Sequence, residues 1–145
     1  MYEAELRVPA ERLSIGRKLA AQVEEYASRH ELPWTLQFRK GYVACLRPGG
    51  YRVAIIDLYW KSAPRFAVRL PDTPERLQIQ SPYPQLRDSW DTAENMWGWT
   101  VPSPSQIPDV AVVLEIVRSY NPAAGPMSCV VAEAGGSPES LAPLE

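Results

Sequence analysis

Few residues in this 145-residue chain have side chains suited to covalent or metal chemistry, and they are scattered. The sole histidine, His30, excludes a multi-histidine zinc site, and it falls where a predicted helix ends. A dipolar or positive ring there complements the free helix carbonyls. Cys45 sits inside a strand-like run and reads as a small buried side chain. Cys129 has no basic neighbour to make it a reactive thiolate. No G-x-S-x-G, Walker loop or G-x-G-x-x-G occurs, and the Gly-Gly pairs at 49–50 and 135–136 lack the strand-to-helix context of a phosphate cradle. Asp88, Asp91 and Glu94 lack calcium-loop spacing. No metal site and no cofactor are expected.

Asp57 stands out because it interrupts the most apolar run of the chain, Tyr51–Trp60, on the face that alternation gives to Tyr51, Val53, Ile55 and Tyr59. A carboxylate in such a place needs a partner or an open face. Arg39, Arg52, Lys61, Arg65 and Arg69 lie on neighbouring runs and are candidate cross-strand partners. A nuclease reading of Asp57 and Lys61 fails, since strand nucleases set an acid two residues before the lysine and position 59 is Tyr. An ion pair is the ordinary reading of Asp57; a ligand contact is the functional one.

The aromatics give the strongest positive signal. Trp34, Tyr42, Tyr51, Tyr59, Trp60, Phe66, Tyr83, Trp90, Trp97 and Trp99 fall on or beside the predicted strands. Most of them suit a heavy aromatic core. If helices cover one sheet face, the other exposes Tyr and Trp beside arginines, a surface fitted to stacking and cation–π contacts or to a cleft. Arg39, Tyr51, Asp57, Tyr59, Trp60 and Arg65 are the candidate ligand-binding set.

The elements that must position them follow from periodicity. Leu13, Leu19, Val23 and Tyr26 predict an amphipathic helix over Pro9–His30, weakened by Gly16 and ended by Pro33. Strands are predicted at Trp34–Phe38, Tyr42–Leu46, Tyr51–Trp60, Phe66–Leu70 and Trp97–Val101, with Leu77–Ile79 as a short edge strand and Asp88–Asn95 as a polar loop. Apolar residues at 110, 113, 114, 117 and 120 predict a closing helix, with Ser103 or Ser105 as its N-cap. Short connections favour an antiparallel meander. The expected fold is therefore α+β: a meander of 5–6 strands with an N-terminal and a C-terminal helix packed on one face.

Composition sets the limits of this reading. Of the 15 prolines, 11 follow residue 70, marking turns and then an Ala/Gly/Ser/Pro-rich stretch. A single α+β domain over 1–122 and a flexible tail over 123–145 are expected. Residues 1–70 hold 12 Lys+Arg and 7 Asp+Glu, and residues 71–145 hold 3 and 10, so a basic half precedes an acidic one. These are either a basic binding face with an acidic tail or two surfaces that attract each other on folding. The net charge of −2 gives no overall pull toward nucleic acid or an anionic membrane. No apolar run approaches 18 residues, and the acidic start at Glu3 and Glu5 does not read as a secretion signal, so a cytoplasmic protein is expected.

Arg65-Phe-Ala-Val68, Met96-Trp-Gly-Trp-Thr-Val101 and Pro108-Asp-Val-x-x-Val-Leu-x-x-Val-Arg-Ser-Tyr120 make the stretch Val8–Tyr120 similar to the MmcQ/YjbR-like bacterial domains. The resemblance implies a CyaY-like (frataxin-like) fold and DNA or protein binding, without a shared catalytic set. Iron binding is not implied, because the first helix carries Arg7, Arg12, Arg17, Lys18 and Arg29 rather than acids. The expected function is a non-catalytic binding or adaptor domain. A protein or peptide partner is favoured, with nucleic acid second and no membrane. The alternative is a small enzyme or small-molecule binder with an aromatic-lined pocket around Asp57.

Overall fold

The structure, a computed structural model, describes residues 8–60 and 63–121. The expected tail 123–145, with Cys129, lies outside the described residues, as does Lys61. Helix α1 (Ala10–Arg29) begins directly after Pro9 and buries Ile15, Leu19, Val23 and Tyr26 along one stripe. Glycine inside a helix costs about 1 kcal/mol relative to alanine. Here Leu58 occupies the space that a side chain on Gly16 would need.

Six strands follow: β1 (Thr35–Arg39), β2 (Tyr42–Leu46), β3 (Arg52–Asp57), β4 (Arg65–Arg69), β5 (Asp88–Asp91) and β6 (Met96–Thr100). All adjacent pairs are antiparallel, in the order β1-β2-β3-β4-β6-β5. The fold is α+β, an open antiparallel sheet with helices from both ends of the chain. It departs from a plain meander at one point: β6 pairs with β4, and β5 forms a hairpin outside it.

Four local expectations are corrected. Leu77–Ile79 is not an edge strand; Thr73 Oγ1 accepts from Arg76 N at 3.2 Å and starts a one-turn helix, α2 (Pro74–Leu77), which Gln78 ends in the left-handed region. Proline at the first position favours that turn over a strand. Asp88–Asn95 is not all loop. Its first half is the edge strand β5, because Trp90 pairs with Trp97 and Asp88 with Trp99. The closing helix α3 (Val110–Tyr120) is capped by Asp109, whose carboxylate accepts from Ala111 N at 3.1 Å, rather than by Ser103 or Ser105, which belong to a short 3-10 turn. The third strand is also shorter than Tyr51–Trp60, since Asp57 turns the chain out of the sheet.

Helices α1 and α3 pack against each other and on one sheet face, enclosing Phe66, Val68, Trp97 and Trp99 with Leu19, Val23, Val113 and Leu114. Burial of one large aromatic, roughly 150–250 Å² at about 25 cal/mol per Å², contributes up to about 4–6 kcal/mol before entropy. Trp97 and Trp99 thus dominate this core, and both indoles find acceptors, Trp97 on Asp88 at 2.9 Å and Trp99 on Ser81 at 3.0 Å. Among the described residues no helix lies on the opposite face.

Candidate functional site

The helix-free face is defined by a row of side chains that are small apart from Ile55. Ala44, Ile55, Ala67, Gly98 and Ser89 are successive register partners across β2, β3, β4, β6 and β5. Beside it runs the row Tyr42, Asp57, Arg65 and Thr100. The small row leaves a trough. Arg65 lies down into it, and its guanidinium occupies the space over Gly98 that a Cβ would fill. Its end donates to the backbone oxygen and the hydroxyl of Ser89, both at 3.2 Å, and the Trp60 ring covers it at 4.7 Å.

Arg65 is only 4% exposed, and among the described residues it makes no ion pair. Its Nε has no hydrogen-bond partner. Burial pushes its pKa down, and the charges of Asp91 and Asp57 push it back up. An arginine held this way is a costly arrangement, because a buried donor without an acceptor costs about 1–3 kcal/mol. Trp60 is fixed from the other side of the molecule: Arg12 of α1 donates to the carbonyls of Leu58 at 3.1 Å and Trp60 at 2.8 Å.

The remaining candidate residues take separate places. Asp57 is the register partner of Arg65 and Tyr42, but its Oδ1 accepts from Tyr59 N at 3.0 Å and closes the turn after β3. It forms no ion pair among the described residues. Tyr59 is 48% exposed, and its ring rests where a side chain on Gly41 would stand, in a turn whose positive φ of 90° suits glycine. Arg39 is exposed and donates to Gln37 at 2.5 Å. Tyr51 sits at the far edge: its hydroxyl accepts from Asn121 at 2.8 Å, and Arg69 lies 5.1 Å over its ring. Trp60, Arg65, Asp57 and Tyr59 therefore form one group, while Arg39 and Tyr51 stand apart. Val53 leaves the face that alternation gave it and is fully buried, because the β2–β3 register shifts between Cys45 and Leu46.

Arg52 and Arg69 point to Glu94, at 3.7 and 3.9 Å. Glu94 is delivered by the β5–β6 turn, where Asp91 Oδ1 accepts from Ala93 N and Glu94 N and Asn95 takes a positive φ. The basic first half and the acidic second half thus meet on this face.

A cleft of about 480 Å³ opens at the β5 side of the Arg65 group, lined by Trp60, Gln85, Leu86, Arg87, Ser89, Thr100 and Pro102. Asp57 is not part of its wall. The other candidates for chemistry lie elsewhere. Cys45 is buried in the core, where burial pushes its thiol up to about 12. His30 caps α1, 3.6 Å from Glu115 and against the Tyr26 ring. No group of His, Cys, Asp and Glu able to hold a metal ion occurs among the described residues, and no helix there is long and apolar enough to cross a membrane.

Sequence reasoning missed Arg12, Arg87, Ser89 and Glu94, whose roles depend on a strand pairing and turns that periodicity does not reveal. Gly98 carried a usable signal. A glycine between two tryptophans inside a strand marks close approach of another group. Compared with protein-family models, curated proteins and solved structures, the chain matches none.

Proposed function

We propose that this chain is a non-catalytic binding domain that takes a protein or peptide partner on its helix-free sheet face. The observation that carries the reading is Trp60 stacked over the buried Arg65, with Tyr42 in the same cross-strand row, on a face that no described helix covers. Aromatic and arginine side chains are the usual anchors of polypeptide recognition, because they desolvate large areas at little conformational cost. Nucleic acid is the weaker partner. Phosphate tracking needs free cations, and here Arg52 and Arg69 already face Glu94.

The likeness to MmcQ/YjbR-like bacterial domains belongs to this proposal, supported by the order in which Met96–Val101 leads into the closing helix. A cytoplasmic setting fits a chain whose described cysteine is a buried free thiol.

The test is selection from a displayed peptide library on the immobilised chain, followed by amide and indole NMR mapping of an enriched peptide. Shifts confined to Trp60, Tyr42, Ile55 and neighbours are expected. Peptides that map instead to α1 and α3 would overturn the reading. So would failure to enrich any peptide while a DNA oligomer binds with a steep salt dependence.

A further inference from the structure

We propose that the cleft beside Trp60 takes a carboxylate carried next to a flat apolar group, as an acidic residue flanked by an aromatic one supplies it in a peptide. This rests on the binding-domain reading above and names the chemistry of its partner.

The described wall of the cleft offers several hydrogen-bond donors and no carboxylate. Arg87 is exposed on the rim, and its side chain makes no hydrogen bond or ion pair among the described residues. Ser89 accepts from Arg65 through its hydroxyl oxygen, which leaves its own proton to donate elsewhere. Thr100 and Gln85 add further donors. Among the described residues no carboxylate lines the cleft, although Asp57, Asp91 and Glu94 all lie on the same face. The acids are held away, at the turn after β3 and at the β5–β6 turn.

Behind this wall the buried Arg65, which makes no ion pair among the described residues although the charges of Asp91 and Asp57 act on it, adds positive charge and touches two residues of the wall, Trp60 and Ser89. An anion in the cleft would gain from that field at short range, screened in part by solvent. Trp60, Leu86 and Pro102 supply the apolar surface on which a ring can lie. About 480 Å³ lies at the lower end of the usual ligand pocket range, enough for one acidic side chain with its neighbour. A dianionic phosphate is a poorer fit. Among the described residues only Arg87 reaches the rim directly, and Arg65 acts from behind Ser89, which suits a single negative charge.

The test uses the full chain and two blocked pentapeptides, Gly-Phe-Asp-Phe-Gly and its isosteric Gly-Phe-Asn-Phe-Gly, with inorganic phosphate as a third probe, in NMR titrations. The acidic peptide is expected to shift the Trp60 indole and the Ser89 and Thr100 amides, and to bind about tenfold or more tightly than the amide peptide. Arg87→Ala, an exposed position that leaves the fold intact, is expected to erase that preference. Equal affinity of the two peptides at Trp60 overturns the carboxylate inference and leaves the partner-face reading standing. Phosphate displacing the acidic peptide at equal concentration also overturns it, in favour of a general anion site. If library-selected peptides shift Tyr42 and Ile55 while neither pentapeptide moves Trp60, this cleft is the wrong site on the right face. If no peptide moves any residue of the face, both readings fall.

Discussion

The Arg65–Gly98 contact makes a prediction that a double-mutant cycle can decide. Alanine in place of a strand-interior glycine normally stabilises, by about 0.4–1 kcal/mol, because the unfolded chain loses freedom. At Gly98 the new Cβ would fall inside the guanidinium of Arg65, so the arginine must leave its seat. It would then lose two hydrogen bonds to Ser89, worth about 1 kcal/mol each to an exposed acceptor, and the Trp60 stack, worth about another 1 kcal/mol. Relief of the unpartnered Nε returns part of that, leaving Gly98→Ala destabilising by about 1–2 kcal/mol. In an Arg65→Ala background nothing occupies the space, and the same substitution should stabilise by up to about 1 kcal/mol. The coupling is therefore about 2–3 kcal/mol. Urea unfolding of the four proteins, followed by tryptophan fluorescence, measures it directly. Additivity within about 0.5 kcal/mol would refute the account, because independent sites add to that tolerance.

Further outcomes follow from the packing around this face. Asn121→Ala removes a buried amide that donates to Tyr51 at 2.8 Å and to the Arg69 carbonyl at 3.2 Å, and should destabilise by about 2 kcal/mol in the same urea assay. Arg12→Ala releases the Leu58 and Trp60 carbonyls, so hydrogen exchange at 58–60 should accelerate while that of β4 and β6 stays slow. Burial raises the Cys45 thiol from 9.0 to about 12, and burial followed by the Asp109 charge raises the Tyr83 phenol from 10.0 to about 12. A folded pKa above the unfolded one means the stabilisation is complete below the unfolded value and is lost as pH climbs through the folded one. Urea midpoints should hold level from pH 7 to 9 and fall between 9 and 12, and Cys45→Ala should remove the earliest part of that fall.

How far the sequence reveals this molecule depends on which forces set each feature. α1, β1 to β4 and β6 are written in apolar spacing, because each buries one regular face, and their ends lie within one residue of the expected ones except that of β3, which stops at Asp57 rather than Trp60. The β5 strand is different. Asp88-Ser-Trp-Asp91 has polar residues because it is an edge, and only Trp90 reaches toward the core, so its pairing with β6 leaves almost no local mark. α2 was hidden by a Pro71-Asp-Thr-Pro74 run that reads equally as a break and as a capped helix start. Of the candidate site, Trp60, Arg65, Asp57 and Tyr59 were recoverable because the two strands that carry them follow each other directly. Arg87 and Ser89 enter only through the β5 pairing, and Arg12 only through a helix-to-turn contact 48 residues away in sequence.

The charge asymmetry of the chain takes on a definite meaning from the same geometry. A basic first half and an acidic second half allow either a cationic surface held open or two surfaces that satisfy each other. Arg52 and Arg69 face Glu94, His30 faces Glu115, and Asp91 acts on Arg65 across the sheet face, so within the described residues the halves largely meet. Exposed pairs of this kind contribute little stability, about 0–1 kcal/mol each. Their consequence lies in recognition. A polyanion approaching the open face must compete with Glu94 for the arginines beside Tyr51 and Tyr42, whereas at the cleft Arg87 has no such rival. The self-neutralised part of the face therefore selects against extended phosphate backbones, and the cleft at Arg87 is left to discriminate among short ligands by charge.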